Sequence, residues 1–228
     1  MAVMAKASSP GRTKTRLSPP LTLEQAANLN TAFLADIADN LAAAAAEGDI
    51  ACYMAFGPPA AAAFFETHLA ADIGLLEAWM PNFGDCLLHT AEVLFGLGYG
   101  AVCVLNSDSP TLPTSILRSA AQLLEAPGER IVLGPCSDGG YYLLGMQRAH
   151  RRLFEDIAWS TSEVLAQTLE RAGELGLRTA LLPAWYDVDD AASLDLLARE
   201  TLGGERFCRE LESYPAPHTA RALRQGIR

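Results

Sequence analysis

Short apolar runs alternate with amphipathic stretches from the first residues of this chain to about Glu200, and few folds accommodate that pattern. Ala2 to Ala5, Asp49 to Phe56, Arg130 to Leu133, Tyr141 to Met146 and Arg178 to Leu182 read as strands. Ala101 to Leu105 is uninterruptedly apolar, as expected of a strand buried on both faces of a parallel sheet. Between them lie helical stretches. Leu23 to Ala46 carries Leu29, Phe33, Leu34, Ile37 and Leu41 at helical spacing, and Ala60 to Ala70, Gly84 to Leu97 and Pro113 to Leu124 follow the same pattern. Ser160 with Glu163 three residues later has the form of a capping box opening a helix to Ala172, and Asp187 to Asp190 caps another running to about Glu200. The tail from Gly203 shows no period. Strand and helix in alternation, without an internal repeat, predict one α/β domain over residues 1–228, a three-layer α/β/α sandwich on a mainly parallel sheet. Sheets of this kind bind ligands beyond the carboxyl ends of their strands, so the residues just after each strand are the ones to inspect.

Charge narrows the choice of ligand. The 228 residues carry 17 Lys and Arg against 27 Asp and Glu, a net charge of −10, which disfavours coating nucleic acid or an anionic membrane. No carboxylate precedes Glu24, whereas Lys6, Arg12, Lys14 and Arg16 all lie in the first 16 residues. An acidic chain with a basic opening segment leaves three readings: a solvated tail, a targeting peptide or an anion-binding loop. The segment resembles a transit peptide in being basic and acid-free, yet it lacks amphipathic periodicity, and no apolar core of a secretory signal is present. No apolar run reaches the ~18 residues of a membrane span. Five widely spaced cysteines without a Cys-x-x-Cys pair read as reduced, mostly buried thiols, and with no sorting signal the expected location is cytoplasmic. The four scattered histidines have no metal-site spacing.

Four strand ends carry chemistry. After the first comes Lys6-Ala7-Ser8-Ser9-Pro10-Gly11-Arg12-Thr13-Lys14-Thr15-Arg16, a loop by its Ser, Pro and Gly, with cationic donors suited to a polyanion; it is not a Walker A loop. After the buried strand comes Asn106-Ser107-Asp108-Ser109-Pro110, where Asp108 is placed to hold a hard divalent ion or, more simply, Asp108 or Ser109 caps the next helix. The third is Cys136-Ser137-Asp138-Gly139-Gly140-Tyr141-Tyr142, which fits close approach of a ligand or an ordinary hairpin turn. The fourth is Tyr186-Asp187-Val188-Asp189-Asp190, of which helix capping explains one or two acids. Acids after three strands and bases after a fourth suit a cation-bridged nucleoside di- or triphosphate.

These motifs, taken in order, resemble those of the radical-SAM/selenodomain-associated glycosyltransferases, a bacterial family in the GT-A or nucleotide-diphospho-sugar transferase superfamily. The resemblance rests on Ala5-Lys6, Pro10-Gly11-Arg12, Lys14-Thr15-Arg16-Leu17, Asp108-Ser109-Pro110, Leu133-Gly134-Pro135 and Asp138-Gly139-Gly140-Tyr141-Tyr142-Leu143. It continues through Phe154-Glu155-Asp156-Ile157, Trp159-Ser160-Thr161, Glu163-Val164-Leu165 and Tyr186-Asp187-Val188-Asp189, spanning about residues 2 to 190. It implies a GT-A-like fold and a nucleotide-linked donor held with Mg²⁺ or Mn²⁺. Lys6, Gly11, Arg12, Lys14 and Arg16 would line the phosphates. Asp108, with Asp187 and Asp189, would hold the metal, although Asn106 stands where the superfamily's D-x-D-like motif has its first acid. Asp138, Asp108 and Lys14 are the implied catalytic groups. Asn106, Ser107, Gly139, Gly140, Tyr141, Trp159, Ser160 and Thr161 would contact substrate, with Tyr142 and Trp185 as further candidates for the acceptor pocket. Glycosyl transfer from a nucleotide sugar is expected first; nucleotidyl transfer from an NTP, as in the similar phospholactate guanylyltransferases and molybdenum-cofactor nucleotidyltransferases, uses the same cradle. A non-catalytic nucleotide-binding module is the remaining alternative.

Overall fold

The computed structural model describes residues 1–70 and 72–226. Seven strands form one sheet in the order β3-β2-β1-β4-β6-β5-β7. They are β1 (Ala2–Ala5), β2 (Tyr53–Phe56), β3 (Gly74–Glu77), β4 (Val102–Leu105), β5 (Arg130–Pro135), β6 (Tyr141–Met146) and β7 (Arg178–Leu181). Only β6 runs antiparallel to its neighbours, β4 and β5; the other pairings are parallel. The helices are α1 (Leu23–Ala45), α2 (Ala62–His68), α3 (Phe83–Gly96), α4 (Thr114–Glu125), α5 (Val164–Glu174), α6 (Ala191–Gly203) and α7 (Pro217–Gly226).

Strand side chains alternate across the sheet, and the two faces fill two cores. Val3 of β1 belongs to the same buried core as Leu29 and Phe33 of α1, Ile116 of α4, Leu194 of α6 and Leu223 of α7. Ala2 faces the other way, among Leu87 and Leu88 of α3 and Ala172 of α5. The expected three-layer α/β/α architecture is therefore present, with helices on both faces of the sheet. No helix among the described residues is long and apolar enough to cross a membrane.

Four details depart from the sequence reading. The strand expected from Asp49 starts only at Tyr53, because its partner β1 pairs with it from Ala2 onward. β3 carries no alternation in Gly-Leu-Leu-Glu and exists as an edge strand through its ladder with β2. Ser160 does not cap a helix: its φ is +65°, and Thr161 Oγ1, not Ser160, accepts the Glu163 N–H at 3.3 Å, so α5 starts four residues later, at Val164. The patternless tail contains α7. Its N-terminal N–H groups on His218 and Thr219 donate to the buried carboxylate of Asp36 in α1, at 2.9 and 2.7 Å. A cap supplied from 182–183 residues away leaves no local signature.

Candidate active site at the carboxyl edge of the sheet

The parallel strands all point their carboxyl ends toward one edge, and β2 and β3 lie on one side of β1 while β4 lies on the other. This is the switch point at which α/β sheets leave a crevice. The loop after β1 is built to stay there. Thr13 is buried and exchanges hydrogen bonds with Ser9, accepting from its N–H at 3.1 Å and donating to its carbonyl at 3.2 Å. Asn30 of α1 donates to Ser8 Oγ at 2.9 Å, so the helix fixes the loop from behind. Buried Leu17 ends the segment, and Gly11, at φ +74°, makes its turn on the exposed side.

Lys14 leaves this loop inward. Its backbone is left-handed at φ 51°, uncommon for a residue with a side chain. Its ammonium reaches Asp108 Oδ1 at 2.7 Å, Asp189 Oδ1 at 2.9 Å and the Val188 carbonyl at 2.8 Å. Only 6% of the side chain is exposed. Burial works to lower its pKa, but the two aspartates outweigh that and hold it above the ordinary lysine value. Arg16 lies 3.6 Å from Asp189 Oδ2, in solvent. The loop after β4 and the segment after β7 are also joined directly, Val188 N–H donating to the Asp108 carbonyl at 2.8 Å. Neither Asp108 nor Ser109 caps α4, whose N-cap is Pro113, and Asp190 alone caps α6. Of the acids that capping leaves unexplained, Asp108 and Asp189 are on Lys14 and Asp187 is not.

These groups surround a cleft of about 430 Å³ lined by Lys6, Arg12, Lys14, Arg16, Asn106, Ser107, Asp108, Ser160 and Asp189. Met4, Thr13, Thr15, Asn30 and Phe83 complete its wall. Asn30 and Phe83 carry no motif signal, since each lies on a helix face that reads only as core or surface. A smaller apolar slot of about 90 Å³ continues from it toward β2 and β3, between Met4, Phe56, Gly57, Trp79 and Phe83. Trp79, 60% exposed, packs so closely on Gly57 that a Cβ there would lie 2.5 Å from its ring.

The remaining sequence candidates divide. The hairpin turn after β5 sets Asp138 beside Asp187 and Cys136: one ligand atom from each lies within 4.8 Å of the others. Burial, then Asp138 and Asp189, push the Asp187 carboxyl up to about 6. Burial, then Asp187, also push the Cys136 thiol far above its ordinary value, so it stays protonated. Cys136 heads the third strand-end segment, but its residue type alone reads only as a buried thiol. Gly139, at φ +92°, accepts a hydrogen bond from Leu165 N–H on its carbonyl at 3.0 Å and locks this turn to the start of α5. Asp138 Oδ1 accepts the Gly140 N–H at 2.8 Å. Trp159 meets Phe83 edge-on at 5.3 Å, at the margin of the cleft. Thr161 is exposed and donates to the Ala158 carbonyl, and Tyr141 buries its hydroxyl toward α5. Tyr142 and Trp185 are fully buried and hold the core, the Tyr142 hydroxyl donating to the Pro183 carbonyl at 2.8 Å; neither can line an acceptor pocket.

Fold and cleft together define a nucleotide-binding transferase architecture. Residues 40–161, more than half of the chain, match the DUF2064 family, described as an uncharacterized protein conserved in bacteria, and the chain belongs to that family. No curated protein matches it. Among solved structures it is similar to a candidate nucleotide-diphospho-sugar transferase from Desulfovibrio desulfuricans G20, with 26% identity and a TM-score of 0.84 over 99% of this chain and 94% of that one. It shares its fold with a CMP:2-keto-3-deoxy-manno-octonic acid synthetase complexed with CTP, at 14% identity and a TM-score of 0.54 over 87% and 98% of the two chains. It does so too with a cytidylyltransferase from Leptospira borgpetersenii serovar Hardjo-bovis, at 10% identity and a TM-score of 0.54 over 99% and 93%.

Proposed function

We propose that this protein transfers a glycosyl group from a nucleotide-linked sugar to an acceptor, with the nucleoside diphosphate leaving from the cleft at the carboxyl edge of the sheet. The observation that carries the reading is the convergence of one basic loop and two acidic loops on that single cleft, at the switch point of the sheet. Lys6, Arg12 and Arg16 would face the phosphates and offset the charge that grows on the leaving diphosphate. Arg suits this by its planar fork of donors. The apolar slot beside Trp79 and Phe83 would seat the base. Asp138, exposed at the turn after β5, would accept a hydrogen bond from the attacking hydroxyl and orient it, with Trp159 at the acceptor side.

A divalent ion, Mg²⁺ or Mn²⁺, would find oxygen ligands in Asp187 and Asp138. Lys14 is held by Asp108 and Asp189, and Asp187 is left half-buried and among like charges, its pKa raised first by that burial. When bound, such an ion supplies charge neutralisation at the phosphates. Cys136 completes that cluster only as a neutral thiol, a poor partner for a hard cation.

Nucleotidyl transfer, in which a phosphorylated acceptor attacks the α-phosphate and pyrophosphate leaves, is the second reading; the fold shared with a synthetase complexed with CTP and with a cytidylyltransferase favours it. The motif resemblance to the radical-SAM/selenodomain-associated glycosyltransferases favours the first. Incubation with a panel of nucleotide sugars and NTPs, with the released product identified, separates them. Nucleoside diphosphate from a nucleotide sugar supports glycosyl transfer. Pyrophosphate from an NTP supports nucleotidyl transfer, and binding without either product supports a non-catalytic module.

A further inference from the structure

The acids expected to hold a divalent ion do not share one free point in space. Asp108 and Asp189 each turn an oxygen to the Lys14 ammonium, and the Val188 carbonyl takes its third direction, at 2.7, 2.9 and 2.8 Å. An ammonium has three N–H donors, so this one is saturated. Mg²⁺ or Mn²⁺ bridging the same two oxygens at their usual ~2.1–2.2 Å would have to stand where Nζ now stands. The lysine is not a surface side chain resting there by chance. It is nearly fully buried, it springs from a left-handed backbone position, and its Nζ lies 5.7 Å from the centre of the Phe33 ring. A residue held in a sparsely populated conformation at a ligand crevice points to a function that depends on it. The second oxygen of Asp189 is also engaged, by Arg16.

We propose that Lys14 is the resident cation of the Asp108–Asp189 pair, so that this pair excludes a divalent ion. Lys14 is then a positioning residue: its ammonium ties the basic loop after β1 to the acidic segments after β4 and β7, and the phosphates meet this end of the cleft without a metal bridge. The inference is independent of which transfer reaction the cleft performs, because its test uses the metal alone.

The test is Mn²⁺ titration of the full chain, followed by loss of the free-ion electron paramagnetic resonance signal. In the otherwise wild-type protein, Asp108→Asn should leave Mn²⁺ affinity unchanged within about twofold. Lys14→Met should gain one Mn²⁺ site, and adding Asp108→Asn to it should remove that site. A tenfold or greater loss of Mn²⁺ affinity in the single variant Asp108→Asn would overturn the proposal, since the pair would then be holding metal with Lys14 in place. A folded Lys14→Met protein that gains no site would overturn it equally. If Lys14→Met does not fold, the Asp108→Asn comparison alone decides.

Discussion

Gly139 joins the turn that carries Asp138 to the segment that carries Ser160, and its replacement by Ala separates two costs that are usually confounded. Its φ is +92°, where a side chain is strained, and a Cβ there would lie 2.3 Å from the Ser162 carbonyl oxygen and 2.8 Å from two further Ser162 backbone atoms. Gly98 supplies the control: its φ is +95°, but a Cβ would meet nothing within 4 Å. Gly98→Ala should therefore cost only the backbone strain, about 1–2 kcal/mol, less the ~0.4–1 kcal/mol gained by stiffening the unfolded chain. Gly139→Ala carries the same strain and adds a collision with backbone that no rotamer change relieves, worth a further ~1–3 kcal/mol. The expected net losses are about 1 kcal/mol for Gly98→Ala and about 3 kcal/mol for Gly139→Ala, read from urea denaturation midpoints at equal slope. The collision also opposes the 3.0 Å bond from Leu165 N–H to the Gly139 carbonyl, so amide exchange at Leu165 should quicken in that variant alone. Equal destabilisation of the two variants within 0.5 kcal/mol would refute the packing argument.

Two other perturbations address the electrostatics and the buried polar hub beside the site. Asp187 has a folded pKa of about 6, above the ordinary carboxylate value of 3.8, so between these the folded state binds more protons and stability falls as pH rises. Two units correspond to ~2.7 kcal/mol at full effect, and partial solvent exposure brings that to about 1 kcal/mol. Asp187→Asn should thus be about 1 kcal/mol more stable than the wild type at pH 7.5 and show a flatter profile from pH 4 to 6; parallel denaturation profiles would contradict this. Glu200 is buried and accepts from the Tyr186 hydroxyl at 2.5 Å, from Ser213 Oγ at 2.6 Å and from Phe207 N–H at 3.3 Å. Glu200→Gln replaces one acceptor oxygen with a donor and should cost about 1–3 kcal/mol. Its effect should be non-additive with Tyr186→Phe in a double-mutant denaturation cycle.

What could be read in the sequence was what local chemistry determines. The helix Leu23–Ala45 is legible by its periodicity; the capping box that Thr22 and Gln25 form at its start is a local signal that the periodicity alone does not use. The buried run after Tyr99 becomes β4, fully buried along its length. The four loops singled out as chemical do gather at one edge of the sheet, because parallel strands must end on the same side. Interactions between distant segments were not legible. β3 depends on the ladder of β2, α7 on the carboxylate of Asp36, and Cys136 acquires its acidic neighbours only when the segments after β5 and β7 meet. The same applies to Lys14. Composition shows a basic loop, but only the fold shows that one of its four cations turns inward to saturate two aspartates while the others line the cleft. Tyr142 and Trp185 err in the opposite direction, aromatic residues in the right motifs whose rings the core claims.

Thermal unfolding with millimolar NTPs, nucleotide sugars and matching unphosphorylated nucleosides, in the presence of Mg²⁺ or Mn²⁺, decides whether this cleft binds the phosphates of a nucleotide. The expected result is a stabilisation of about 2–3 kcal/mol at saturation with at least one phosphorylated ligand, none with its nucleoside, and loss of the effect in Arg12→Ala/Arg16→Ala. No shift with any nucleotide, or an equal shift with the bare nucleosides, would contradict it.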